Sequence, residues 1–89
     1  MKIFWSPRSL KHIEEIGNYI AKDSPENAAK FIKKLIDSTE RLIEFPLSGT
    51  NVRSSPNLKQ IIIQGYRIVY RAKDQRLEIL SVLTPTQLQ

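Results

Sequence analysis

The 89-residue chain has no cysteine and one histidine. That rules out a disulfide framework, a thiolate metal site and a histidine-rich metal centre. Neither metal catalysis nor a bound cofactor is expected. No apolar run approaches the roughly 20 residues that span a bilayer. The opening, Met1 to Ser6, runs into a helix start without the apolar region of a signal peptide. A cytoplasmic protein with no membrane role is the expectation. The length fits one domain over residues 1–89, near the size at which a single core is only just sufficient, so a partner would add stability.

Acidic residues are scarce in one stretch. Residues 1–52 hold eight Lys/Arg against seven Asp/Glu, residues 53–76 hold six against one, and residues 77–89 contribute only Glu78. The net +5 is therefore concentrated in the C-terminal half. Such a patch suits nucleic acid, a ribosome or an acidic protein, and it accelerates encounter with any of them. Sign alone does not choose among the three.

That charge sits on a stretch with the period of strands. From Leu58 to Val82 the pattern predicts a three-strand antiparallel meander centred on Tyr66-Arg67-Ile68-Val69-Tyr70. Gln64-Gly65 has two-residue hairpin spacing and sets Ile63 against Tyr66 and Ile61 against Ile68. A four-residue loop over Ala72 to Gln75 is expected next, placing Arg71 against Arg76, Tyr70 against Leu77 and Ile68 against Ile79. Alternation then gives one face Ile61, Ile63, Tyr66, Ile68, Tyr70, Leu77 and Ile79, with no charge. The other receives Ile62, Arg67, Val69, Arg71, Arg76, Glu78, Leu80 and Val82. Stacked arginines repel unless an anion or carboxylate lies between them, so this face reads as a binding surface. The alternative is a solvated face whose arginines pair with Glu78.

Before the meander, Lys2 to Trp5 reads as a short additional strand. Ser6-Pro7 is a helix start, because a serine cap satisfies a free amide and proline has none to leave unpaired. The first helix is expected from Pro7 to about Lys22, with an apolar stripe of Leu10, Ile13, Ile16 and Ile20 and with Tyr19 at its edge. His12 falls off the stripe, which assigns it to solvent. Ser24-Pro25 repeats the start signal, and Ala28, Phe31, Ile32, Leu35, Ile36, Leu42 and Ile43 keep a helical period as far as Phe45-Pro46. Thr50 to Asn57 is polar and reads as a loop. The expected fold is α+β, an N-terminal strand and an antiparallel helical hairpin packed on one face of an antiparallel sheet, in the order β-α-α-β-β-β.

This order, with Trp5-Ser6-Pro7, Ser24-Pro25 followed by Ala28 and Phe31-Ile32, Phe45-Pro46 followed by Gly49, and Tyr66-Arg67-Ile68-Val69-Tyr70, resembles the RelE/ParE toxin superfamily. The Trp-Ser-Pro opening and the Ser-Pro second helix look more like the ParE branch. The resemblance implies a bacterial type II toxin–antitoxin pair, in which an acidic antitoxin wraps and neutralises a small basic toxin. ParE-like members poison DNA gyrase; RelE-like members cut messenger RNA in the ribosomal A site.

The chain departs from the superfamily's pattern at its end, where a histidine and paired arginines commonly follow the last strand but Thr84-Pro85-Thr86-Gln87-Leu88-Gln89 stands here. Lys59 also stands where the superfamily often has arginine. RNA cleavage by 2′-hydroxyl attack needs an acid or base and cations for the phosphate. Arg67, Arg71 and Tyr70 are the candidates for that chemistry. For partner binding the candidates are Arg53, Lys59, Arg67, Arg71, Arg76, Leu80 and Val82. The leading reading is a non-enzymatic gyrase inhibitor acting through the sheet, helices or C-terminal tail. A ribosome-dependent endoribonuclease, a weakened or inactive toxin and a plain RNA-binding module follow.

Overall fold

The computed structural model describes residues 1–85. Both helices begin at their Ser-Pro pairs, α1 over Pro7–Ala21 and α2 over Pro25–Glu44. The Ser6 hydroxyl accepts the Ser9 amide at 3.0 Å and donates to the Leu80 carbonyl at 2.9 Å, so one residue both caps α1 and ties it to the last strand. Ser24 accepts the Asn27 amide at 3.2 Å in the same way.

The strands are β1 (Lys2–Trp5), β2 (Thr50–Val52), β3 (Ser55–Ile63), β4 (Tyr66–Lys73) and β5 (Arg76–Leu83). They form one sheet in the order β1-β5-β4-β3-β2. β1 joins as an edge strand parallel to β5, and the other neighbours run antiparallel. Thr50 to Asn57, expected as a loop, instead supplies β2 and the start of β3. Among the described residues no helix is long and apolar enough to cross a membrane.

The first hairpin has the expected register, Ile63 against Tyr66 and Ile61 against Ile68. Gln64 (φ 50) and Gly65 (φ 86) carry the left-handed backbone that a two-residue turn requires. The second hairpin differs from expectation. Its turn is also two residues, Asp74 (φ 53) and Gln75 (φ 63), so Lys73 pairs with Arg76, Arg71 with Glu78 and Tyr70 with Ile79. The sequence there lacks glycine, which hid the tight turn. The two-residue slip keeps the faces of Leu77 and Ile79 but sets a carboxylate, not a second guanidinium, opposite Arg71.

Further along, a bulge shifts the register between Val69 and Tyr70, so that Val69 pairs with Ser81 and Ile68 with Val82. One extra residue on β5 exchanges the faces beyond it. Val82 therefore moves from the expected partner face into the core, where it is 1% exposed.

Both helices lie on one face of the sheet. The core joins Ile16, Leu35 and Leu42 to Ile68, Tyr70, Leu77, Ile79 and Val82, with Ile3, Trp5, Phe31, Ile61, Ile63 and Tyr66 at its margins. The helix seams are narrower than their apolar stripes. Ala28, Leu35 and Leu42, seven apart, are buried together with Thr39, whereas Leu10 is 55% and Tyr19 70% exposed. Ser9 and Thr39 are buried polar residues whose hydroxyls bond back to their own helix backbones, on Ser6 and Ile36.

Candidate functional site

The face of the sheet opposite the helices has no described element packed on it. Its residues follow from the register. Ile62, Arg67 and Leu83 form one cross-strand row, Thr50, Gln60, Val69 and Ser81 the next, and Arg71, Glu78 and Phe4 a third. Lys73, Arg76 and Lys2 make a cationic row at the far end.

Val69 is only 8% exposed although no helix covers it. Arg67 and Arg71 flank it along β4 on the same face. The Nε atoms of both arginines are buried, and neither has a hydrogen-bond partner. The Gln60 Oε1, opposite Val69 and diagonal to both arginines, is likewise buried and unpaired. Among the described residues these are the three buried side-chain polar atoms without a partner, and they fall in adjacent rows of one face.

The Arg71 Nη2 reaches both Glu78 carboxylate oxygens at 3.2 Å. The pair is exposed enough for water to screen it, so it orients the guanidinium more than it stabilises the fold. Arg76 lies over the Phe4 ring at 4.2 Å from the centroid, a cation–π contact at an exposed edge. Arg53 is exposed in the β2–β3 turn, at the same end of the sheet as Arg76. Leu80 is half-buried at the bulge, its carbonyl held by Ser6.

Two candidates lie elsewhere. Lys59 pairs with Tyr70 and so lies on the helix side, where its Nζ donates to Asn51 Oδ1 at 2.9 Å. Tyr70 is fully buried on that side; its hydroxyl donates to the Pro46 carbonyl at 2.9 Å and accepts the Gly49 amide at 3.0 Å. The set Arg67, Arg71 and Tyr70 is thus split across the sheet, because adjacent residues of a strand point to opposite faces. Tyr70 anchors the α2–β2 connection.

Burial pushes the Tyr70 hydroxyl above its ordinary value of 10.0, with the Gly49 amide pulling it partly back. The folded state therefore holds this proton at a pH where the unfolded chain has released it, and stability falls as pH rises above about 10. Tyr70→Phe should destabilise the protein by about 1–3 kcal/mol at neutral pH, because the Pro46 carbonyl and Gly49 amide lose their partner. The deficit relative to wild type should shrink in melts above about pH 10. A deficit that stays constant up to that range would mean the hydroxyl is not held as described.

His12, expected at the solvent, instead accepts the Val82 amide on its Nδ1 at 3.0 Å, just beyond the bulge. It lines a cavity of about 480 Å³ between α1 and the end of β5, with Glu15, Tyr19, Tyr66 and Pro85. The one sign of this role in the sequence was that His12 is a single turn from Ser9 and Ile16, both of which prove buried. Residues 86–89 of the atypical C-terminus lie outside the described part of the chain.

A single sheet, covered on one side by a helical hairpin and presenting guanidinium groups on the other, defines a small basic α+β protein whose charge lies on an open sheet. The chain belongs to the ParE toxin family: the family model described as "ParE toxin of type II toxin-antitoxin system, parDE" matches residues 3–88. It is 34% identical over 83 residues to "Putative toxin Y4kP" of Sinorhizobium fredii, covering 92% of this chain and 85% of that protein. The fold is shared with a chain of the chromosomal ParDE TA system from P. aeruginosa, with a TM-score of 0.81 over 94% of this chain and 95% of that one, at 17% identity.

Proposed function

We propose that this single-domain chain inhibits growth in the bacterial cytoplasm by binding DNA gyrase through the uncovered sheet face, and that a cognate acidic antitoxin neutralises it. The observation that carries this reading is the group of unpaired buried atoms on that face, Arg67 Nε, Arg71 Nε and Gln60 Oε1. Buried polar groups without partners are uncommon in native folds, and a partner surface that pairs them recovers their lost solvation. Arg53 and Arg76 extend the positive field, and Leu80 stands at the bulge on the last strand. Lys59 and Val82 drop out of the docking face.

The same geometry favours binding over RNA cleavage. Tyr70, the one candidate proton donor of the nuclease set, is on the far side of the sheet with both hydroxyl bonds made. Glu78, the carboxylate of the open face, is held by Arg71.

The deciding experiment expresses the wild-type chain and the triple variant Arg67→Gln, Arg71→Gln, Arg76→Gln, then maps gyrase-linked DNA breaks beside cellular RNA ends. DNA breaks without codon-linked RNA ends are expected, and the triple variant should lose the breaks. Codon-linked cuts that vanish in the triple variant would replace this reading with the ribosome-dependent nuclease. Binding of the antitoxin should also be steered by charge: its on-rate should fall at least roughly tenfold as salt screens the patch, and a salt-independent on-rate would remove steering from the account.

A further inference from the structure

The cavity beside His12 lies on the helix side of the sheet, away from the open face. It measures about 480 Å³, within the range of pockets that hold small organic groups. Three local contacts fix its walls. His12 Nδ1 accepts the Val82 amide at 3.0 Å. The Tyr66 ring stands against Phe31, with centroids 4.7 Å apart and planes inclined at 52°. Pro85 seats on the first hairpin, where a Cβ on Gly65 would come within 3.3 Å of its Cγ. The walls therefore come from α1, β4 and the end of β5, and they stand before any ligand arrives, which lowers the ordering cost of binding.

Its polar groups are few and of complementary kinds. A neutral imidazole whose Nδ1 accepts carries its proton on Nε2, so His12 has one donor left beyond the Val82 bond. Glu15 also lines the cavity and has no ion pair among the described residues, whereas Glu26, Asp37 and Glu78 each have one. His12 and Glu15 are three apart on α1, which makes them neighbours with Cβ atoms about 5–6 Å apart. Tyr19, four residues beyond Glu15, stands largely exposed at the same cavity. No lysine or arginine lines it, and the sheet separates it from Arg67 and Arg71. An unneutralised carboxylate beside tyrosine rings selects a cation. Of the biological cations, a guanidinium meets a carboxylate with two parallel N–H groups and also stacks on an aromatic face, which an ammonium does not. The apolar surface at Val82 and Pro85 suits an aliphatic stem, and the His12 donor calls for an acceptor at its other end.

We infer that this cavity binds an arginyl group. Its guanidinium pairs with the Glu15 carboxylate and stacks on Tyr19, its methylene stem crosses Val82 and Pro85, and its carbonyl accepts the His12 Nε2 proton. The source is an arginine within a polypeptide, because the cavity is open beside Tyr19 and a chain can run past its mouth; a free arginine derivative carries the same chemistry. The inference needs neither the gyrase nor the antitoxin reading, since it uses no residue of the open sheet face.

The test titrates the full chain by NMR with arginine and citrulline, both blocked at their two ends, and with a blocked peptide carrying one arginine between glycines. Blocked arginine should move the Glu15 and Tyr19 amides and the His12 Nε2 resonance in a saturable way. Citrulline keeps the shape but replaces the cation by a neutral urea, so it should bind at least roughly tenfold more weakly. Glu15→Gln should weaken arginine binding at least roughly tenfold and citrulline binding by less than about twofold, the difference being the coupling between the two charges. Tyr19→Ala should weaken arginine binding roughly threefold. Both side chains are exposed, so the variants should melt like the wild type. Agmatine, which lacks the carbonyl, should leave the His12 Nε2 resonance in place. Equal affinity for arginine and citrulline, or unchanged arginine binding by Glu15→Gln, would overturn the inference. So would shifts centred on Asp37, Glu40 and Glu44, the carboxylates of the cavity beside Ile3. The glycine-flanked peptide should bind at least as tightly as blocked arginine; rejection of the peptide while blocked arginine still binds would overturn the polypeptide source and assign the cavity to a free arginine derivative.

Discussion

Leu35→Asp is expected to leave the chain unfolded at room temperature. Leu35 is fully buried in the seam where α2 meets α1 and the sheet, within a core shared with Ile16, Leu42, Ile68 and Tyr70. An aspartate there removes an apolar side chain and places a carboxylate among groups that cannot pair with it. The truncation alone costs about 2–5 kcal/mol, and an unpaired buried polar group adds several more unless the carboxyl stays protonated. A domain of this size has on the order of 5–10 kcal/mol to lose. Lys33→Asp is the matched control, since Lys33 is exposed and its interaction is the solvent-screened pair with Asp37. Circular dichroism should show a coil for the first variant and a near-native melt for the second. Equal melting of the two would mean that the helix faces are assigned wrongly.

Gly49→Ala should be the most damaging single methyl in the chain. A Cβ at this position would approach Tyr70 Oη to 2.5 Å, the Gln60 carbonyl to 2.7 Å and Tyr70 Cε1 to 2.9 Å. Two of these neighbours belong to a fully buried ring and the third to strand backbone, so none can swing away cheaply. Overpacking of this kind costs about 1–3 kcal/mol, and displacement of the Tyr70 hydroxyl orphans the Gly49 amide and Pro46 carbonyl for about 1–3 kcal/mol more. The melting temperature should drop by more than about 10 °C, given about 4–8 °C per kcal/mol at this size. The coupling is as informative as the size. Adding Tyr70→Phe to Gly49→Ala removes the nearest clashing atom, so the double variant should be less destabilised than the two losses added together. Strict additivity would show that the two residues do not oppose each other. β2 should also loosen from β3, since Gly49 immediately precedes it.

Much of this architecture was legible in local chemistry. Ser6-Pro7 and Ser24-Pro25 begin helices because each serine satisfies an amide within three residues and each proline has none to satisfy, and neither effect depends on the rest of the chain. Gln64-Gly65 set the first hairpin for the same kind of reason: a two-residue connection between β-rich runs leaves few registers, and glycine accepts the left-handed backbone. The second hairpin was not legible, because Asp74-Gln75 makes the same turn without a glycine to announce it. The site inherited that difficulty. Arg67 and Arg71 were placed on the open face by alternation, but the partner of Arg71 depended on the register, which the two-residue turn at Asp74-Gln75 sets.

The sequence by itself determined the helix starts, the core residues of the first hairpin, the concentration of charge in residues 53–76 and the resemblance to the RelE/ParE superfamily. Each is a property of near neighbours or of composition. Only the tertiary structure decided that a bulge carries Val82 inward, that Tyr70 ties Pro46 to Gly49, that His12 holds the Val82 amide, and that β2 stops short of Ile62. The hydrogen bonds among these features join residues 21 to 70 positions apart, and they are absent until the helices lie on the sheet. A bulge costs little locally, and it persists here because the buried volume under α1 is filled by Val82 and not by the residues beside it. Long-range packing selects among local geometries of nearly equal energy, which is why the faces of the last strand could not be read in advance.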